Sequence, residues 1–331
     1  MADRGLPHRA DPLAGPATIA TFEPAPDRGM ALECRRHRPR PVEDRRGIHS
    51  WFLAGEIAIR PMIAKPLIAD RRRLAGMSVE SNSAESGTGQ PLLTVAGPVA
   101  TILLRRPEQH NRIDPDDLPL LGRQLDRVAN DPAIRVLVMR GSGQRTFSSG
   151  YTVDAILTRL HERSLEAFLN RLEQFPKPTI AAIQGGVYGG ATDLALCCDL
   201  RIGVHRSRMF MPAARFGLHY YPDGLRRYVS RLGATAARRL MLTAATIEAD
   251  EMLRIGFLTA CVAPEALDAA VDAEIEQLLA CEPGAIAAMK QSLNELGRVD
   301  PAVMAALEAR YLTSLRSDVL KARLAPDSCN R

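Results

Sequence analysis

The sequence predicts an α/β protein in which an alternating core is followed by a helical tail. From Leu92 onward, β-branched apolar runs alternate with stretches of helical spacing, and from about Pro264 only helical spacing remains. Four glycines also fall within six residues, Gly185 to Gly190, ahead of a compact apolar run. Strands separated by helices pair in parallel through crossovers, which is the signature of an α/β layer.

In order, residues 95–106 read as strand, turn and strand. Residues 114–131 open on capping acids and continue at helical spacing. The run 133–143 is β-branched and ends in glycine, and 164–175 is an amphipathic helix stopped by Pro176. Residues 178–185 form a buried strand, 189–198 a helix and 199–204 a further strand. Beyond Pro264, segments 266–281, 284–296 and 301–325 are amphipathic and helical.

The chain holds 331 residues with 46% hydrophobic and 24% charged content, as ordinary globular proteins do. No apolar run is long enough to span a bilayer. The six cysteines form no C-x-x-C pair, which points away from zinc and redox motifs. The expectation is a cytoplasmic protein with reduced thiols, in which Cys197 and Cys198 are small core residues. The net charge of +5 comes from residues 1–76, which hold 14 basic and 9 acidic side chains; the rest is balanced. A balanced body gives no field for nucleic acid.

Residues 1–76 also hold 9 of the 23 prolines and arginine clusters at 35–41 and 71–73, with little apolar periodicity. That composition predicts a disordered extension. Met77, followed by a polar leader, reads as the true or an alternative start. A targeting peptide is the weaker reading, because nine acidic residues oppose it. The expected organisation is an extension over 1–76, an α/β core over 77–263 and a helical region over 264–331.

Each glycine inside a packed element costs about 0.5–1 kcal/mol, so the cluster at 185–190 implies a need for the backbone itself. It follows one strand end, and the loop 145–156 follows another. A helix starting at Gly189–Gly190 presents free N–H groups and the positive end of its dipole. If the Ser149 loop faces that start, two amides converge on one oxygen as an oxyanion hole. A phosphate cradle or close helix–strand packing gives the same pattern.

The body resembles the crotonase superfamily (the enoyl-CoA hydratase/isomerase family) from about Val95 to about Met304. VATILLRRPEQHNRI is similar to the family's opening strand and Asn-containing turn. TFSSG resembles its first oxyanion loop and QGGVYGGATDLALCCDLRIG its second; FMPAARFGL and PDGLRRYVSRLG continue the pattern. The resemblance implies a crotonase-like spiral of ββα turns and a C-terminal helical region for trimer or hexamer formation. It implies an acyl-CoA thioester substrate, with no cofactor beyond that coenzyme A and no metal. It places the N–H groups of Ser149 and Gly190 on the thioester oxygen, with Gly150, Gly189 and His219 beside the substrate.

The match breaks where hydration needs it. Family hydratases use two carboxylates, and acid–base work on water needs such a pair. The first position here is Asp193, one helical turn past Gly190 and so able to share the pocket face. The second is Ala213, which carries no acid. Asp223, Tyr151 and Tyr221 are the candidates to assist Asp193, since tyrosine can act as a general acid or orient a thioester. The Arg226–Arg227 pair reads as a solvated helix face; it and Arg105–Arg106 are candidate contacts for CoA phosphates. The expected function is an enoyl-CoA hydratase or isomerase acting through an oxyanion-stabilised enolate. The alternatives are an acyl-CoA hydrolase or decarboxylase, or a CoA-thioester-binding protein without catalysis.

Overall fold

The computed structural model describes residues 80–81, 89–298 and 300–325. The N-terminal extension and the start at Met77 lie outside these residues.

Two strands lead in, β1 (Glu80–Ser81) and β2 (Leu92–Ala96), and β3 (Val99–Leu104) is followed by α1 (Asp117–Asn130). Next come β4 (Val136–Gly141), β5 (Thr146–Ser148), the short α2 (Ile156–Arg159) and α3 (Ser164–Glu173). The pattern then repeats as β6 (Thr179–Ile183), β7 (Gly186–Tyr188) and α4 (Gly190–Cys197). It repeats again as β8 (Leu200–Val204), β9 (Arg208–Phe210), α5 (Ala213–Phe216) and α6 (Pro222–Thr243). The chain closes with β10 (Ile247–Glu248), α7 (Ala249–Arg254), β11 (Ala260–Val262), α8 (Leu267–Ala280), α9 (Pro283–Leu296), α10 (Pro301–Leu315) and α11 (Asp318–Leu324).

The first strand of each ββα turn joins a seven-stranded sheet of order β1-β2-β3-β4-β6-β8-β11. The second joins a four-stranded sheet of order β10-β9-β7-β5. From β3 to β11 the large sheet is parallel. This is the spiral of ββα turns that the sequence leads one to expect. The small sheet was not foreseen, because its strands are two or three residues long and show no period.

The large sheet is covered on both faces, as parallel sheets are. Successive side chains on a strand point to opposite faces. Val136 and Val138 of β4, with Ile180 and Ala182 of β6, meet Leu267, Val271 and Ile275 of α8. Leu137, Met139, Ala181 and Ile183, at the alternate positions, join the larger cluster with α1, α3 and α4. Cys197 and Cys198 lie in that cluster, fully buried. Strand ends and the N-terminus of α4 are thereby fixed on a rigid layer, and the site is built there.

Candidate active site

Gly150 follows β5 with φ of +83°, a conformation that L side chains rarely adopt. A Cβ placed on it would lie 2.6 Å from the Gly190 nitrogen and 2.8 Å from the Ala191 nitrogen. The first loop therefore abuts the start of α4. Gly189, at φ 53° and ψ −130°, turns the chain out of β7 and into that helix. A Cβ on Gly190 would sit 3.5 Å from the Tyr151 nitrogen.

One member of the expected pair of amides is already engaged. The Ser149 N–H donates to the His110 carbonyl at 2.8 Å, so it is committed to the fold. Tyr151 bridges Ile113 in parallel, and that ladder uses the Gly150 carbonyl and the Thr152 N–H. Among the described residues, neither the Tyr151 nor the Gly190 N–H has a hydrogen-bond acceptor. Gly190 opens α4, where the first N–H groups have no intrahelical partner and carry the positive end of the dipole.

These two amides stand at the edge of a cavity of about 260 Å³. Its walls include Ile156, Leu165, Met211, Phe216, Leu218 and Ala213, together with Tyr151, Tyr188 and Tyr220. Among the described residues, no carboxylate lines it. Ser149, Gly189 and Gly190 line it as expected residues of the two loops.

Asp193 does not share that pocket face. It is fully buried behind the wall. Arg227 donates through Nε to Oδ1 at 2.8 Å and through Nη2 to Oδ2 at 3.1 Å. Oδ2 also accepts from Tyr220 at 3.0 Å and from Tyr221. Tyr221 is likewise absent from the cavity walls; its hydroxyl gives to Asp193 and accepts from Arg227 Nη2 at 2.6 Å. Burial and the Asp193 charge hold both Tyr220 and Tyr221 well above the ordinary phenol range. Burial alone lowers the Arg227 value, but Asp193 and its neighbours raise it well above the ordinary guanidinium range.

The Arg226–Arg227 pair is therefore not a solvated face. Arg227 is completely buried and also donates to Glu173 at 3.0 Å and Asn170 at 2.9 Å. Arg226 pairs with Glu173. A one-turn helical projection could not show this, because its cause is a carboxylate on α4 and another on α3. Asp223 accepts from Asn170 at 2.9 Å and lines a separate cleft with Arg226 and Arg298. His219 lines a third cleft against α10 and gives its N–H to Ser314. Neither reaches the cavity. Arg106 is paired with Asp117 and Asp114.

Tyr151 does line the cavity. Its hydroxyl is buried without a hydrogen-bond partner among the described residues, and burial raises its pKa to about 12. Tyr188 and Tyr220 complete the aromatic wall.

A two-sheet spiral with paired loop amides over an apolar cavity defines an acyl-binding α/β fold. Residues 94–319 match the enoyl-CoA hydratase/isomerase family, and the chain belongs to it. It is 28% identical over 209 residues to the short-chain-enoyl-CoA hydratase of Clostridium acetobutylicum, covering 61% of this chain and 80% of that one. It is 31% identical over 205 residues to the carnitinyl-CoA dehydratase of Proteus mirabilis, covering 60% and 78%. A crystal structure of methylmalonyl-CoA decarboxylase superposes with a TM-score of 0.68 at 22% identity, covering 74% of this chain and 97% of that one. The last likeness is one of fold. Among the described residues, no helix is long and apolar enough to cross a membrane.

Proposed function

We propose that this chain is an acyl-CoA thioester enzyme that stabilises an enolate with the backbone N–H groups of Tyr151 and Gly190. The observation that supports this is the pair of amides without acceptors at the rim of an apolar cavity. Donors fixed before charge develops stabilise it more than water does, and each is worth roughly 10²–10³ in rate. The acyl group the walls accept is hydrocarbon, since they are mostly apolar and the Tyr220 hydroxyl is committed to Asp193. Asp193 is a positioning residue in this reading: it fixes the Tyr220 ring and α6 rather than taking a proton from substrate. The thioester makes its own α-carbon acidic and the two amides stabilise the resulting enolate, so in this reading a water molecule entering the cavity takes the α-proton, and no metal or second cofactor is called on. Assembly into a trimer or hexamer belongs to the same proposal and is supported by Met289, Leu293 and Leu296, an exposed apolar stripe on α9.

One observation favours a second reading. A cavity with no carboxylate at Ala213 and with Asp193 committed elsewhere lacks the pair that two-carboxylate hydration uses. Decarboxylation of an α-carboxylated thioester needs no base. The bond to the carboxylate breaks, carbon dioxide leaves, the electron pair enters the enolate, and a solvent proton completes the product.

The test is incubation in D₂O with saturated, 2-enoyl and malonyl-type CoA thioesters, followed by mass spectrometry. Deuterium at the α-carbon of a saturated or enoyl chain supports the first reading. Carbon dioxide release with deuterium in the product selects the second. Neither change from any thioester overturns both.

A further inference from the structure

The Gly190 N–H shares its peptide unit with the Gly189 carbonyl. A trans peptide is planar, and its N–H and C=O point in opposite directions. Whatever holds the Gly189 oxygen therefore also aims the Gly190 N–H. Thr192 supplies two donors to that oxygen, its backbone N–H at 3.0 Å and its side-chain hydroxyl at 2.6 Å. The hydroxyl has one proton to donate, and the carbonyl takes it. Toward its other partner, the Tyr228 hydroxyl, Thr192 Oγ1 is thus an acceptor, and Tyr228 is the donor.

Both side chains are completely buried. Burial holds the Tyr228 phenol well above its ordinary range, so this donor keeps its proton throughout the range in which the protein is folded. Tyr228 stands on α6 and packs edge-on to Tyr220, with ring centroids 6.4 Å apart. At most helix starts a side-chain oxygen accepts from the free N–H groups. In α4 the N-cap is Gly189, which has no side chain to give, and the Thr192 hydroxyl is turned to the carbonyl instead. The Gly190 N–H stays free for a ligand while the far end of its peptide unit is doubly bonded to donors. Hydrogen bonds in a chain polarise one another, more so where water is excluded. Donation to the Gly189 oxygen draws electron density along the amide and makes the Gly190 hydrogen more positive.

We propose that Thr192 and Tyr228 are positioning residues for the reaction: their two hydroxyl groups form a relay, Tyr228 to Thr192 to the Gly189 carbonyl, that aims and polarises the Gly190 N–H. The proposal rests on the reading in which that amide receives the thioester oxygen. Neither Thr192 nor Tyr228 lines the cavity, so both act through the peptide unit and not on the substrate.

The experiment is isotope-edited infrared spectroscopy of the thioester carbonyl of a saturated acyl-CoA bound to the full chain. It is accompanied by the Kd and by the rate of α-proton exchange in D₂O. The proteins are the native chain, Thr192→Ser, Tyr228→Phe and the double variant Thr192→Val/Tyr228→Phe. The double variant replaces both hydroxyl groups by apolar groups of like shape, which leaves neither one unpaired and keeps the fold. In the native protein the bound carbonyl band is expected at lower frequency than in free acyl-CoA. In the double variant that displacement is expected to shrink, and exchange to slow about tenfold, the size of one neutral hydrogen bond and less than a whole oxyanion donor. Kd is expected to change little. Tyr228→Phe should give a smaller change in the same direction, and Thr192→Ser, which keeps the hydroxyl, should stay near native in both readouts. A native band and native exchange in the double variant would overturn the proposal and leave the oxyanion reading standing. So would a loss of stability alone, with band and exchange unmoved, which is a packing role. A native protein that binds the thioester without displacing its band would refute the oxyanion reading, and the relay with it.

Discussion

Arg227 and Asp193 form a fully buried ion pair directly behind the cavity wall, with Nε 2.8 Å from Oδ1. Arg227 also holds Glu173, and Tyr220 and Tyr221 add two hydroxyl donors to the same carboxylate. A buried charge is costly unless paired and hydrogen-bonded, and here every oxygen of Asp193 is engaged. The pair joins α4, which supplies the Gly190 amide, to α6 and the Tyr220 loop.

Removing the Asp193 charge leaves the buried Arg227 with Glu173 as its one remaining carboxylate, which it shares with Arg226. Asp193→Asn is therefore expected to lower stability by roughly 3–5 kcal/mol, measured by urea denaturation monitored by circular dichroism. Native stability in that variant, with activity lost, would instead make Asp193 a group that acts directly on substrate.

Tyr220→Phe separates wall from network. It removes a hydrogen bond to a charged group, worth about 1.5–3 kcal/mol, but leaves the apolar ring surface. Stability should fall while KM for a hydrocarbon acyl-CoA stays close to native. A large rise in KM with unchanged stability would mean that the hydroxyl faces substrate.

The proposed function uses only the backbone N–H of Tyr151, so Tyr151→Phe should retain turnover. The variant also loses a buried hydroxyl that has no partner, whose desolvation costs about 1–3 kcal/mol. It should be as stable as the native protein or more so. Its pH dependence follows from the raised phenol pKa of about 12. The folded value exceeds the unfolded one, so this group's contribution is complete below about pH 10 and is lost as pH rises toward 12. Thermal melts between pH 9 and 12 should therefore slope less steeply in Tyr151→Phe. Equal slopes would contradict this.

Gly150→Ala tests the contact between the loops. The added Cβ meets two backbone nitrogens at 2.6 and 2.8 Å at a φ of +83°, so the loop must move. Turnover is expected to drop by about 10² or more, the size of one lost oxyanion donor. Near-native kcat would refute the close approach.

The order of strands and helices was legible because each ββα turn has a buried parallel strand, VLVMRG or TIAAI, and an apolar helix face. The glycines at 150, 189 and 190 marked two loops that approach each other beside the cavity, because backbone approach leaves a compositional trace. Which amide points outward did not, since Ser149 and Tyr151 differ by the hydrogen bond to His110, a contact 39 residues away from Ser149 in sequence. Asp193 looked catalytic for the same reason: helical spacing puts it near Gly190, but Arg227, 34 residues later, turns it inward. Asp223 and His219 were near in sequence to the wall residues Tyr220 and Leu218, yet the turn into α6 sends them to other clefts.

The central claim is that the Gly190 amide holds the thioester oxygen. Proline is accepted at the first position of a helix because its missing N–H has no partner there. A Cβ at Gly190 meets only ordinary contacts of 3.5 Å or more. Gly190→Pro therefore deletes one donor and puts its Cδ in the place of that hydrogen, while its Cβ leaves the neighbouring walls in place. The measurement is the rate of α-proton exchange of a bound saturated acyl-CoA in D₂O, followed by mass spectrometry for the native protein and this variant. A fall of about 10²–10³, with binding kept, is the predicted result. Exchange at the native rate in the folded variant would contradict the account.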